Sequence, residues 1–249
     1  MTDAHTDGDV FGIDDPRLTA DDVRVLEADG RRERIVLAGV VHDHPASVYR
    51  AEQIVRAVGP DVLALELPAL AVALFEQFAT SSPAPHDDGG EMSAAIQGAN
   101  AAGTERIVGV DMPSTAYLRA LAGTVRTRSL ATLRGIASET WSVTCHAVRC
   151  RLAAAGALFR DETSPVDGLE HDCRHDAPPA VQAANETAHL SRSRSLLGAV
   201  QRPQAMVLTD EARERAMARR IDALGRTGST VGILGFGHLD SVADQLVET

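Results

Sequence analysis

Four short apolar runs constrain this chain more than any other feature, because each closes on a side chain that can carry a proton or hold a ligand. They are Arg34–His42, Val62–Glu66, Arg106–Asp111 and Val231–His238. Continuous Val-, Ile- and Leu-rich runs between turn signals read as strands buried on both faces, as in a parallel sheet. Between the first two runs, Pro45 opens a helical pattern with Val48, Ala51, Val55 and Val58 on one face. Gly59-Pro60 stops it, Gly closing the helix and Pro preventing its continuation. This is a βαβ unit, so its two strands run parallel with a right-handed crossover. Their carboxyl ends then lie on one edge, where ligands bind in open α/β sheets. His42 and Glu66 are expected to be neighbours if the two strands are adjacent.

The expected fold class is α/β: a mostly parallel central sheet flanked by helices, with a helical insertion. Residues 1–20 read as an acidic disordered arm, and residues 21–249 as a single α/β domain. A hairpin through Asp29-Gly30 leads into the His42 strand. A third unit follows, with a helix from Glu91 to Ala102 and the strand ending at Asp111, then a helix from Pro113 to Gly123. Residues 125–205 form the insertion. In it, a helical stretch carries Leu130, Leu133, Ala137 and Trp141 roughly in phase, a polar loop spans 161–179, and a second helix covers 180–200. Its placement makes it a candidate lid. Thr209 opens the next helix, with Asp210 and Glu211 in the first turn and Gly225 at the end. Arg213, Met217, Ile221 and Leu224 share one face of it, which buries Arg213 where a guanidinium needs partners.

At 249 residues the chain suits one large α/β domain. Its net charge is −11, and all 24 basic residues are arginine. An acidic surface of this kind suits a high-salt cytoplasm, where self-repulsion is screened; GC-rich codon usage in an acidic protein gives the same balance. With no basic stripe and no aromatic stacking set, nucleic acid is not an expected partner. The longest apolar run, Val62–Phe75, is interrupted by Glu66 and Pro68, so no membrane span is expected. The acidic, polar start is unlike a secretory signal, which points to a cytoplasmic location. Cys145, Cys150 and Cys173 lack CxxC spacing. They imply neither a disulfide framework nor a zinc ribbon, and the first two read as packed thiols.

Several pieces occur in an order that resembles the TraB/PrgY family. They are Gly39-Val40-Val41-His42, Glu66, Gly90-Glu91-Met92 with Ala94-Ala95-Ile96, Asp111, Arg213 with Met217-Ala218, and Gly235-Phe236-Gly237-His238. This TraB-domain group is related to Tiki proteases, ChaN-like haem-binding proteins and erythromycin esterases. The resemblance spans about Ile35 to Val247 and matches the insertion poorly. It implies an α/β fold with His42, the following glutamates, Arg213 and His238 around one cleft. It also implies hydrolysis: of peptides with a metal in the Tiki branch, of a lactone in the esterase branch. PrgY-type members are linked to control of peptide pheromones. The chain departs from the pattern at Met112, where an arginine is common, at Ser241, where a glycine is usual, and at Ala212, where a glutamate is common, although Glu211 and Glu214 flank Arg213.

The expected catalytic set is therefore His42, Glu66, Glu91, Arg213 and His238. His42, Glu66 and His238 form the expected metal set: two imidazoles and a carboxylate leave a position for water, which a divalent ion would acidify. Glu91 would orient that water or complete the shell, and Arg213 would stabilise an oxyanion or clamp a carboxylate. A metal-free arrangement is the alternative, with one histidine as general base, Glu66 orienting it and Arg213 as electrophile. The blander reading has the histidines satisfying backbone groups, Asp111 and Glu91 serving as helix-start residues, and Arg213 in an internal ion pair. His171, Cys173 and His175 alternate in a polar loop and suit only opportunistic metal binding. His44 reads as a helix cap; His146, Cys150 and His189 read as packing or surface residues. The expected function is hydrolysis of a peptide or ester bond. The alternative is a binding protein that sequesters a peptide or small molecule without turnover.

Overall fold

A computed structural model describes residues 11–81, 89–124, 129–156, 171–199 and 202–248 of the 249. Five strands form the sheet: β1 (Val23–Leu26), β2 (Ile35–Val40), β3 (Val62–Pro68), β4 (Arg106–Asp111) and β5 (Thr230–Gly235). Their order is β1-β2-β5-β3-β4. β1 pairs antiparallel with β2, as the hairpin predicts, and every other pairing is parallel. The protein is thus α/β, with a mixed, mostly parallel sheet. β2 and β3, however, are not adjacent: the last strand in sequence lies between them. A central strand is covered on both faces and both edges. β5 suits that place, since it carries no charge and Val231, Ile233 and Leu234 are all fully buried.

Eight helices are described: α1 (Pro45–Val58), α2 (Val72–Ser81), α3 (Gly90–Ala102), α4 (Thr115–Thr124), α5 (Leu130–Ala154), α6 (Pro179–Ala199), α7 (Gln204–Gly225) and α8 (Phe236–Val247). Strand residues alternate between two cores, the period-2 consequence of the pleat. Val36, Ala38, Leu63, Leu65, Val231 and Ile233 pack under α1, α2 and α3. Ile35, Leu37, Val62, Ala64 and Leu234 pack under α7 and α8. α1 and α3 lie close enough that a Cβ on Gly98 would sit 2.6 Å from the Glu52 carbonyl oxygen, so only glycine fits there. A third core joins α4, α5 and α7 through Tyr117, Leu121, Ile136, Leu208, Ala212 and Ala216.

Three boundaries differ from expectation. α7 begins at Gln204, so Thr209 lies fully buried inside it rather than opening it. Gly225 is its last helical residue, and the cap is Arg226. The apolar run after β3 breaks at Pro68 and resumes as α2, an element the sequence pattern did not separate. Of the expected disordered arm, residues 1–10 lie outside the described residues, but Phe11, Ile13 and Leu18 pack against the core. Leu18 is 1% exposed, and the Arg17 guanidinium lies 3.4 Å from the Tyr49 ring centroid.

Within the insertion, residues 125–128, 157–170 and 200–201 lie outside the described residues. Its α6 is tied to α1 by a buried ion pair between Glu186 and Arg50, which also donates to the Arg17 and Gly39 carbonyl oxygens at 3.0 Å each. Ser47 donates to the same Glu186 and accepts from the Val41 amide. The insertion thereby reaches the strand edge where His42 emerges. Among the described residues, no helix is long and apolar enough to cross a membrane.

Candidate functional site

Glu66 lies inside β3 with its side chain 4% exposed. Its Oε1 accepts from Arg213 Nη2 at 2.8 Å, and its Oε2 accepts from the Gly235 amide at 2.7 Å. Gly235 ends β5, the strand between β2 and β3. A Cβ there would lie 3.5 Å from Glu66 Oε2 and 3.9 Å from His42 Nε2. The missing side chain therefore lets His42, from the β2 side, and Glu66, from β3, face one another across the end of β5. Adjacency of their strands is not what brings them together.

His42 lies just past β2, where Asp43 takes a left-handed backbone conformation (φ 55°) that Asp tolerates better than most side chains. The turn aims the ring at the start of α3. There Glu91 is buried; its Oε1 lies 2.7 Å from His42 Nδ1, and its Oε2 accepts from the Asp43 amide at 2.9 Å. An ionised Glu91 only accepts, so Nδ1 carries the proton and Nε2 is the atom turned to the cleft. The Glu91 hydrogen bond, opposed by burial and aided by the charges of Glu91, Glu66 and Asp43, raises the His42 pKa to about 9. Nearly half of the side chain, 49%, is open to solvent.

His238 sits in the first turn of α8 rather than at the end of its strand, since β5 stops at Gly235. Its Nδ1 lies 2.9 Å from Glu214 Oε1, and Ser241 donates to Glu214 Oε2 at 2.6 Å. Its Nε2 lies 3.6 Å from Glu66 Oε1. Burial lowers the His238 pKa, but the Glu214 bond and the charges of Glu66 and Glu214 outweigh burial and the Arg213 charge, so the net direction is up. Glu214 moves down: burial raises it, but the bonds from His238 and Ser241 prevail.

Arg213 is held by carboxylates. Its Nε and Nη2 hold both Asp111 oxygens at 3.0 and 2.8 Å, Nη2 also holds Glu66, and Asp210 lies 3.9 Å from Nη1. Burial disfavours the guanidinium charge, but these carboxylates more than restore it, and the pKa is raised. The guanidinium thus fixes Glu66 in place through Nη2. Asp111 is accordingly its partner and not a helix cap.

The structure therefore brings His42, Glu66, Glu91, Arg213 and His238 to one strand edge, and adds Asp111, Glu214 and Ser241. Glu214 was legible only as a flank of Arg213. Consecutive helical residues point about 100° apart, so one faces β3 and β4 while the next faces α8. His44 is the N-cap of α1: its Nδ1 accepts from the Ala46 amide, its Nε2 pairs with Asn185, and burial lowers its pKa. His171 lies 2.7 Å from the His42 carbonyl oxygen, and His146 lies 3.4 Å from the buried Cys150 thiol.

As a metal centre the set fits only in part. Both histidines offer Nε2 with Nδ1 anchored by a carboxylate, as metal-bound imidazoles are. Glu66, however, already receives two donors, and the guanidinium 2.8 Å from Oε1 opposes a divalent cation. Among the described residues, no three His, Cys, Asp or Glu side chains are grouped to hold a metal ion, which applies equally to His171, Cys173 and His175. Each imidazole, anchored through Nδ1, can transfer a proton at Nε2. Compared with protein-family models, curated proteins and solved structures, the chain matches none.

Proposed function

We propose that the protein is a hydrolase of a peptide or ester bond that works by general acid–base catalysis at the Glu66 edge of the sheet. The observation that carries this reading is the pair of imidazoles with Nδ1 tied to a carboxylate, His42 to Glu91 and His238 to Glu214, and Nε2 turned toward Glu66. The two anchored imidazoles divide the acid and base roles. His42, charged up to about pH 9, is the acid. It donates from Nε2 to the leaving group or the developing oxyanion. His238, in its neutral form, takes a proton from the attacking water. Glu66, 3.6 Å from His238 Nε2, stabilises the imidazolium that forms there. The sequence resemblance to hydrolases of the TraB and Tiki type supports the same reaction class.

The test is a screen of short peptides, esters and lactones with the purified chain, in chelator and with added divalent ions. Turnover should persist in chelator and fall about 10²- to 10⁴-fold in His42→Asn and His238→Asn, the range for losing a positioned acid or base. Turnover that depends strictly on an added ion would replace this mechanism with a metal-assisted one. A ligand that binds and is never turned over would make the protein a sequestering one.

A further inference from the structure

α5 is a 25-residue helix with one face buried and one bare. Thr132, Ile136, Ala147, Cys150 and Ala153 face the protein. On the other side, Leu130 is 81% and Trp141 71% exposed, and Val148 and Leu152 are 42% and 43% exposed. At 100° per residue, Leu130, Arg134, Ala137, Trp141, Cys145, Val148 and Leu152 all fall within about 40° of Trp141, a line about 33 Å long. Arg149 and Arg151 lie about 80° to either side of it, both exposed, as is Arg134. The single acidic residue of the helix, Glu139, lies about 160° away, on the opposite side. No carboxylate pairs with any of the three arginines among the described residues. In a chain of net charge −11, the described residues of α5 thus set an apolar line flanked on that helix by positive charge and by no carboxylate.

We propose that α5 docks the protein on an anionic lipid surface. Three observations favour this occupant. Two copies packed α5 to α5 would bring arginines against arginines, which opposes a self-pairing. The line of Leu130, Ala137, Trp141, Cys145, Val148 and Leu152 holds a single charged residue, Arg134, and so has few polar groups to set a register. That suits a fluid surface better than a partner read residue by residue. Arg149 and Arg151 stand beside the line and Arg134 within it, where long stems can reach phosphates while Leu130, Trp141 and Leu152 enter the interface. Tryptophan at mid-length is the side chain that best suits that boundary. The inference is independent of the hydrolase reading, since no residue of the cleft lies on α5.

Trp141 is the only tryptophan in the chain and therefore reports on this face alone. Its emission is measured in the full-length protein with vesicles of phosphatidylglycerol and phosphatidylcholine, and with vesicles of phosphatidylcholine only. Emission should shift to the blue, and the protein should sediment with the vesicles, only when phosphatidylglycerol is present. Arg149→Gln/Arg151→Gln should weaken partitioning about 30-fold, at about fivefold per arginine near an anionic surface. Trp141→Ala, followed by sedimentation, should weaken it about tenfold or more. Unmoved emission with the anionic vesicles, or equal binding to both vesicle types, would overturn the proposal. So would a dimer that forms without lipid and shields Trp141, which would assign the face to a second copy.

Discussion

His42 and Glu66 leave strands that are not neighbours, yet both come within 4 Å of one point above Gly235. The cleft exists because the strand between them ends in a residue with no side chain. Gly235→Ala places a methyl group at ordinary contact distance from both partners and should keep most activity. Gly235→Val fills the gap while leaving the amide that Glu66 accepts. It should abolish turnover with a change in thermal midpoint of a few degrees at most, in parallel assays of hydrolysis and unfolding.

Arg213 should matter more to stability than an oxyanion donor does. Its removal leaves Glu66 and Asp111 as buried, uncompensated carboxylates. Arg213→Met should destabilise the fold by about 3–5 kcal/mol, the usual cost of breaking one side of a buried pair. Adding Asp111→Leu should recover part of that loss. Urea unfolding of the single and double variants measures both. Wild-type stability with a lower kcat in Arg213→Met would restore the oxyanion role.

The pH profile follows from His42. Its folded pKa, about 9, lies above the ordinary histidine value. The stability contributed by the Glu91 pair is therefore complete below about pH 6.5 and is lost as pH rises through about 9. The exposed ring keeps that contribution modest. With His42 as the proposed acid, activity should fall over the same upper interval. Glu91→Gln should move the descending limb down by about two units, toward the ordinary histidine pKa near 6.5. Proton NMR of the His42 ring and a kcat profile read the shift separately.

Glu214 and Ser241 position His238. Glu214→Gln offers an amide in place of the carboxylate and should lower the His238 pKa, moving the ascending limb of the profile to lower pH. Ser241→Gly removes the 2.6 Å bond to Glu214 and should have a smaller effect in the same direction. An unchanged profile in both variants would make the pair purely structural.

The ion pair between Arg50 and Glu186 fastens α6 beside His42. Glu186→Ala leaves Arg50, 2% exposed, with Asp22 at 3.3 Å as its remaining carboxylate and strands the Ser47 hydroxyl. It should destabilise the protein by about 1–3 kcal/mol, the cost of leaving buried polar groups unpaired, which is about 2–12 °C in a chain of this size. Calorimetry tests this, and Arg50→Met/Glu186→Met together should cost less than the sum of the two single changes.

Local pattern alone sets most of the elements and the sheet edge that carries the candidate site. Apolar runs, Gly and Pro punctuation and helical periodicity are local signals, so β2, α1, β3, α3, β4 and β5 were legible, and so was the inward placing of Arg213; that His238 lies in α8 and Glu66 inside β3 was not. Strand order was not, because any of the parallel strands could take the centre on pattern alone; the fully apolar β5 wins it through burial from both faces. Nor did local pattern say which carboxylate each cation would meet. His42 finds Glu91 49 residues away, His238 finds Glu214 on another helix, and Arg213 spends itself on Asp111 and Glu66. Such pairings depend on distances between elements, which packing sets and no sequence period encodes.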